Sequence, residues 1–397
     1  MSLWMIEPRD PVIFRDGKPF GNVPGARAKS LPFPFPSTVV GAVRTHSGPD
    51  ANGEFSQPRV QELLGKQMRG PVLVSLTESG EIGGWLLPAP ADSLLLKLKD
   101  DTDNKRGCRI WLRALEIPTG AHTNLAGLHA VGAPQIVKEK PHAKPPYYWH
   151  WTFMQAWLES PQNDPTPLEL TLLGQNGPVR ETRTHVSIEP GNQTAREGAL
   201  FQTSGLEFIR ALYSNEREKT GLESIQRLAM AVETDADLTE TLSFMGGERR
   251  IVTWRESQST LPTCPAPIRT AIHKDGHCRL VLATPAYFAG GYLPQKLSSL
   301  IEGVDVTVKA AAIQRYQTVS GWDYASTPGR PKPTRRLAPA GSVYFLQLDG
   351  QSTDIDSFID TVWMQNVSDD KQARRDGFGL GLLGVWDGTL AQMEVDV

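Results

Sequence analysis

The sequence predicts an α+β protein in two domains, with antiparallel sheets that carry helices on one face. Three observations predict it. Apolar segments of strand length, bounded by Gly, Pro, Asn and Asp, alternate with short helical periods instead of long ones. A length of 397 residues exceeds one typical domain, and 39% hydrophobic with 21% charged residues suits a buried core. The 36 glycines and 31 prolines favour turns and long loops over a helical bundle. The strand–helix–strand order with interposed hairpins occurs twice, which suits two ferredoxin-like domains, 1–205 and 206–397, the first with an insertion at about 99–148.

LWMIEPRDPVIF (3–14) reads as a strand broken by Pro8 and Pro11, hence an edge or bulged strand. Beyond the turn at 15–21, SLPFPFPS stays extended. Ser37 is then an N-cap for a helix TVVGAVRTH that turns Val39, Val40 and Val43 to a core. A second helix at 58–66 precedes the strand PVLVSLTES. WLLPAPADSLLLKL is extended, and residues 116–148, rich in Pro, Gly and His, form the insertion. WHWTFMQAWLES (149–160) has helical spacing, LELTLLG reads as a strand, and EPGNQ closes a hairpin between 180 and 203. LAMAVET is a strand, a helical segment ends at Gly246–Gly247, and ERRIVTW is extended again. CRLVLATPAYF, VDVTVKAAAIQRY and SVYFLQL are strands, LPQKLSSLIE is a short helix, and IDSFIDTVWMQNV is an amphipathic helix before the glycine run GFGLGLLG.

Several function classes are excluded. No apolar run approaches the roughly 18 residues of a membrane span, and MSLWMIEPRD carries no secretion signal. Cys108, Cys264 and Cys278 are odd in number and far apart, so no disulfide framework is expected and the chain reads as cytoplasmic. HKDGHC (273–278) looks like a hairpin turn without a second ligand cluster, which argues against zinc. No GxSxG, Walker lysine or reactive-cysteine setting occurs, and the glycine run lacks the strand–turn–helix context of a dinucleotide site. No catalytic centre and no cofactor follow from these residues.

A net charge of −3 argues against a free-standing nucleic-acid binder, yet the charges are segregated. Between Gly17 and Pro49 there is no acid, and between Val306 and Leu348 the only acid is Asp323, against Lys309, Arg315, Arg330, Lys332, Arg335 and Arg336. A phosphate chain responds to local field, because the Debye length is about 8 Å in physiological salt. The stretch SGWDYASTPGRPKPTRR joins Trp322 and Tyr324 to four cations on a loop stiffened by Pro331 and Pro333. GGERR (246–250) joins a glycine turn to two arginines, and Phe20 lies in a turn beside cations.

Taken in order, IEPRDPVIFRDGKPFG, PFPFPSTVVGAVRT, THVSIEP with TAREGALF, MGGERR, TPAYF with GGYLP, SGWD with GRPKPTRRLAPAGSVYF, and GFGLGLLGVW resemble one known family. It is the third subunit of the type III-B CRISPR effector, the Cmr complex, within the RAMP superfamily. The resemblance implies two RRM-like domains, no nuclease activity and no cofactor. It also implies capping of the crRNA 5′ handle, docking on the large palm-domain subunit, contact with the backbone RAMP subunits, and only indirect contact with target RNA. On matching motifs it implies RNA contacts at Arg15, Lys18, Phe20, Gly21, Ser37, Thr38 and Arg44. The later motifs add Gly246, Gly247, Arg249, Arg250, Trp322, Arg330, Lys332, Arg335 and Arg336, and the glycines Gly377, Gly379 and Gly381. Arginine and lysine would hold phosphates, glycine turns would offer N–H donors, and aromatics would stack bases. Two rivals stay open: an endoribonuclease of the same superfamily with His46 as base, and a protein-bridging subunit without RNA contact.

Overall fold

A computed structural model describes residues 1–15, 27–28, 30–125, 127–215, 220–323, 326 and 328–394. The chain divides into two compact units, each assembled from three stretches. Unit 1 comprises 1–83, 177–260 and 318–335; unit 2 comprises 84–176, 261–317 and 336–397. Residue 205, the expected boundary, lies inside unit 1, whose sheet draws strands from both sides of it. Both units are mixed α/β with mostly antiparallel pairing.

Unit 1 contains β1 (Ser2–Pro8), α1 (Pro36–His46), α2 (Gln57–Gly65), β2 (Met68–Leu76), β3 (Thr220–Thr234), β4 (Thr241–Met245) and β5 (Arg250–Ser257). Its sheet includes the run β2-β3-β1-β5-β4, all antiparallel. β1 is therefore central, where an edge or bulged strand was expected, and it ends at Pro8. Pro8 is harmless there because it is the last residue of the strand, opposite Val252, where a missing N–H costs least. β4 replaces the expected helix before Gly246: in Leu242, Ser243 and Phe244 the exposed and half-buried positions alternate with period two.

α1 starts at Pro36, whose fixed φ and absent N–H suit the first helical position. The N-cap is Phe35, extended and without a side-chain cap bond, so Ser37 sits inside the first turn and does not cap it. Val39, Val40 and Val43 are buried, each contributing about 1.5–3 kcal/mol of apolar transfer. A hairpin of Val179–Ile188 with Ala195–Glu207 leaves Val186, Ile188 and Leu200 exposed.

Unit 2 contains α3 (Ala266–Asp275), β6 (His277–Leu282), β7 (Val304–Ala312), β8 (Val343–Gly350), α4 (Ser352–Val362) and β9 (Gly381–Val385). Its sheet runs β7-β8-β6-β9, again antiparallel throughout. HKDGHC is not a hairpin turn: Gly276, at φ +59, caps α3 in the left-handed conformation that glycine tolerates, and β6 follows at once. LELTLLG is likewise not a continuous strand, since Leu170–Leu173 form one helical turn. LPQKLSSLIE contributes only the 3-10 turn Ser298–Leu300.

The core of unit 2 holds an ion pair from which water is excluded. Arg279 and Asp92 have fully buried side chains and pair with each other. Arg279 also donates to the carbonyls of Val385 (3.0 Å) and Trp157 (2.7 Å), and Trp157 Nε1 donates to Asp92 at 3.0 Å. Every strong donor is thereby matched, the condition under which such a pair is tolerated.

Candidate nucleic-acid interface

The loop 320–336 is open to solvent along much of its length. Trp322 opposes Pro331 and Asp323 opposes Arg330 in a two-rung ribbon. Lys332 N–H donates to the Gly321 carbonyl at 2.8 Å, which closes the ribbon. Trp322 is 49% exposed, and the Arg330 side chain is 74% exposed at 3.8 Å from Asp323. Such an exposed pair is worth little, so this guanidinium is available to another anion. Lys332 and Arg336 are exposed and Arg335 is half-buried. Tyr324 lies outside the described residues.

Arg336 is not idle. Its guanidinium sits 4.9 Å from the ring centroid of Tyr316, itself 49% exposed. Tyr316 was missed by sequence reasoning; its place directly after Arg315 in an acid-free stretch was the available signal.

The turn between β4 and β5 carries the second group. Gly246 (φ +73) lies against Ile13, and Gly247 N–H donates to the Ile13 carbonyl at 2.7 Å. Arg249 is exposed, its guanidinium 4.6 Å from the Phe244 centroid. Arg250 donates to Glu248 at 2.7 Å.

Other expected contacts are occupied inside the protein. Arg44 is half-buried and Nε donates to the Leu63 carbonyl at 2.9 Å, which fastens α1 to the end of α2. Ser37 and Thr38 are half-buried in the first turn, and Thr38 N–H donates to Phe35 at 3.0 Å. Arg15 is exposed and bridges Ser30 through its backbone. Lys18, Phe20 and Gly21 lie outside the described residues.

The glycine run departs most from expectation. Gly377, Gly379 and Gly381 are all buried, and their amides donate within unit 2: Gly377 to Arg374 (3.2 Å), Gly379 to Pro285 (2.8 Å) and Gly381 to Gln365 (2.9 Å). The Thr284 hydroxyl accepts from Gly379 and Leu380 and donates to the Gly377 carbonyl. Gly379, at φ +85, packs against Ser368 and Ala286. These glycines allow close packing, not the display of N–H donors to a ligand.

His46 and His273 are held in place. His46 stacks on Trp254 at 4.7 Å and 7°, with Nε2 2.8 Å from the Thr239 carbonyl. His273 Nε2 is 2.8 Å from Asp356; that bond, followed by the one from Arg269, lowers the Asp356 carboxyl below its ordinary range. Burial pushes the Cys278 thiol far above its usual range and Cys264 to about 11, which leaves neither a ready thiolate. Among the described residues no group of His, Cys, Asp and Glu could hold a metal ion, and no helix is long and apolar enough to cross a membrane.

An α+β protein with arginine-bearing loops turned to solvent is the class that fold and surface define. The chain belongs to the CRISPR-associated protein family Cas_Cmr3, whose model matches residues 4–386. It is thus a Cmr3-type subunit of the type III-B CRISPR effector, as the sequence resemblance implied. Among solved structures it is similar to a chain of the type III-B Cmr-beta complex bound to cognate target RNA and AMPPnP. That match has 13% identity and a TM-score of 0.46, over 87% of this chain and 86% of the other. A chain of the same complex bound to cognate target RNA gives 14% identity and a TM-score of 0.45, with the same coverage. A chain of the Csm3–Csm4 subcomplex of the type III-A interference complex gives 8% and 0.34, over 97% and 99%. No curated protein matches the chain.

Proposed function

We propose that this subunit is a non-catalytic RNA-binding component that caps the 5′ handle of the crRNA. It bridges the handle to the large palm-domain subunit beside the backbone RAMP subunits, in the cytoplasm, and meets target RNA only indirectly. The observation that carries this reading is the 320–336 loop, where an exposed tryptophan lies beside Arg330, whose guanidinium is 74% exposed and only loosely paired with Asp323. Phosphates on cations and a base on the ring are what such a loop offers a single strand.

The sheets support the fold half of the reading. With the added strand β4 set aside, β1, β2, β3 and β5 numbered by sequence lie in the order 2-3-1-4, and so do β6, β7, β8 and β9. That is the strand order of a split βαβ, ferredoxin-like domain. α1 and α2 supply the first crossover of unit 1 and α4 the second of unit 2. His46 supports a non-catalytic role, because its ring stacks on Trp254 and Nε2 already has a carbonyl partner.

Ultraviolet crosslinking of the assembled complex, reconstituted on a guide RNA labelled within its 5′ handle, tests the proposal. Peptide mapping should place crosslinks in 15–44, 246–255 or 320–336. A chain that stays unlabelled while its neighbours crosslink would establish the protein-bridging alternative. Metal-independent cleavage of a repeat RNA by the purified chain, abolished by His46→Ala, would establish the endoribonuclease.

A further inference from the structure

The sheet of unit 1 presents an aromatic platform that no sequence motif announced. Trp254 is buried, stacks on His46 of α1, and donates to Ser243 Oγ at 2.8 Å, so Ser243 and Trp254 point toward the helix side. Side chains alternate along a strand, and the neighbours of these two residues therefore point the other way. Phe244 stands directly opposite Ile251, and Leu242 opposite Thr253. Phe244 is 54% exposed and Leu242 60%, and Ile251 is exposed beside them. Three apolar side chains thus stand uncovered on adjacent strands.

Cations frame them. The Arg249 guanidinium lies over the Phe244 ring. Arg9 donates to Thr253 Oγ1 at 2.7 Å and lies 3.9 Å from the Glu7 carboxylate, which Arg227 pairs more closely, and its side chain remains 51% exposed. The nearby Glu248 carboxylate is already matched by Arg250.

The backbone turns Arg249 back toward this face. Glu248 (φ +60) and Arg249 (φ +50) are consecutive left-handed residues, at positions where hairpins ordinarily carry Asn or Gly. Left-handed non-glycine residues are costly and persist where something else selects them. Here they place a guanidinium over an exposed ring.

We infer that Phe244 is a stacking platform for one unpaired RNA base, with Arg249 and Arg9 holding the adjoining phosphates. A ring with a cation on one side still offers its remaining surface to a base, and two guanidiniums flanking an apolar patch complement a nucleotide. They fit a purely apolar protein surface poorly. The inference rests on the RNA-binding reading proposed above but names a site outside the loop that carries that reading.

The test titrates the full-length chain against a fluorescein-labelled single-stranded octanucleotide, followed by anisotropy at several salt concentrations. Phe244→Leu, which keeps apolar bulk but removes the ring, should weaken binding about tenfold. Phe244→Trp should restore it, and neither change should alter the salt slope. Arg249→Ala should flatten that slope by about 0.7, the value of one neutralised phosphate on a single strand. Wild-type affinity in Phe244→Leu would overturn the inference, as would equal weakening in the leucine and tryptophan variants. So would unchanged RNA binding together with poorer co-purification of the other subunits, which would make the patch a protein contact. Handle crosslinks in the assembled complex without octanucleotide binding by the wild-type chain would sink this site and leave the capping role standing.

Discussion

Two glycine-bearing turns, 245–250 in unit 1 and 377–381 in unit 2, look alike on paper: each has paired arginines within a few residues. In the fold they are opposites. The first is a hairpin end whose Arg249 reaches solvent and whose Gly246 rests on Ile13. The second is buried, with its amides given to Arg374, Pro285 and Gln365 and its carbonyl at Gly377 held by Thr284. Glycine beside arginine is thus no phosphate loop by itself. Gly247 too gives its amide away, to Ile13, so what decides is the arginine: Arg249 is exposed, whereas Arg374 donates to the carbonyls of Ser368 and Asp369.

Mutations test this contrast directly. Arg279→Leu should act most strongly, because Arg279 anchors the strand after the buried turn through Val385 and would leave Asp92 buried without a partner. A loss of about 3–5 kcal/mol is expected in denaturant unfolding. Gly379→Ala places a methyl 2.9 Å from Ser368 at φ +85, for an expected cost of about 3 kcal/mol in the same assay. Thr284→Val keeps the shape but strips the hydroxyl that serves three backbone groups, at about 2 kcal/mol. RNA affinity of the folded fraction should be unchanged in all three. Arg249→Ala is the reverse case: stability within about 0.5 kcal/mol of wild type, with RNA affinity reduced. If Arg249→Ala destabilised and Thr284→Val spared stability but weakened RNA, the roles of the two turns would have to be exchanged.

The strands of β6 and β8 were legible because SVYFLQL and CRLVL are β-branched and aromatic runs closed by turn residues. α1 and α4 were legible because valines, or Ile355, Phe358, Ile359 and Val362, recur at helical spacing. Less legible was β4, where a five-residue strand carries two exposed apolar residues and so lacks the inside–outside contrast that marks a sheet. The central place of β1 was also hidden, since Pro8 argues for an edge until its register against Val252 is known. Of the candidate contacts, Trp322, Arg330, Lys332 and Arg249 are as exposed as their polar, turn-rich surroundings suggested. Arg44 could not be read, because the Leu63 carbonyl that takes it belongs to another helix.

Composition, local period and motif order were enough to establish the family, the α+β class, the segregation of charge and the arginine-rich loops. The tertiary structure alone decided which donors are still free. Thr284 lies more than 90 residues before the glycines it binds, and Phe244 became a platform only when β5 set Ile251 opposite it. A hydrogen bond or a stacked ring is a matter of ångströms between groups far apart in the chain, and only folding brings such groups together.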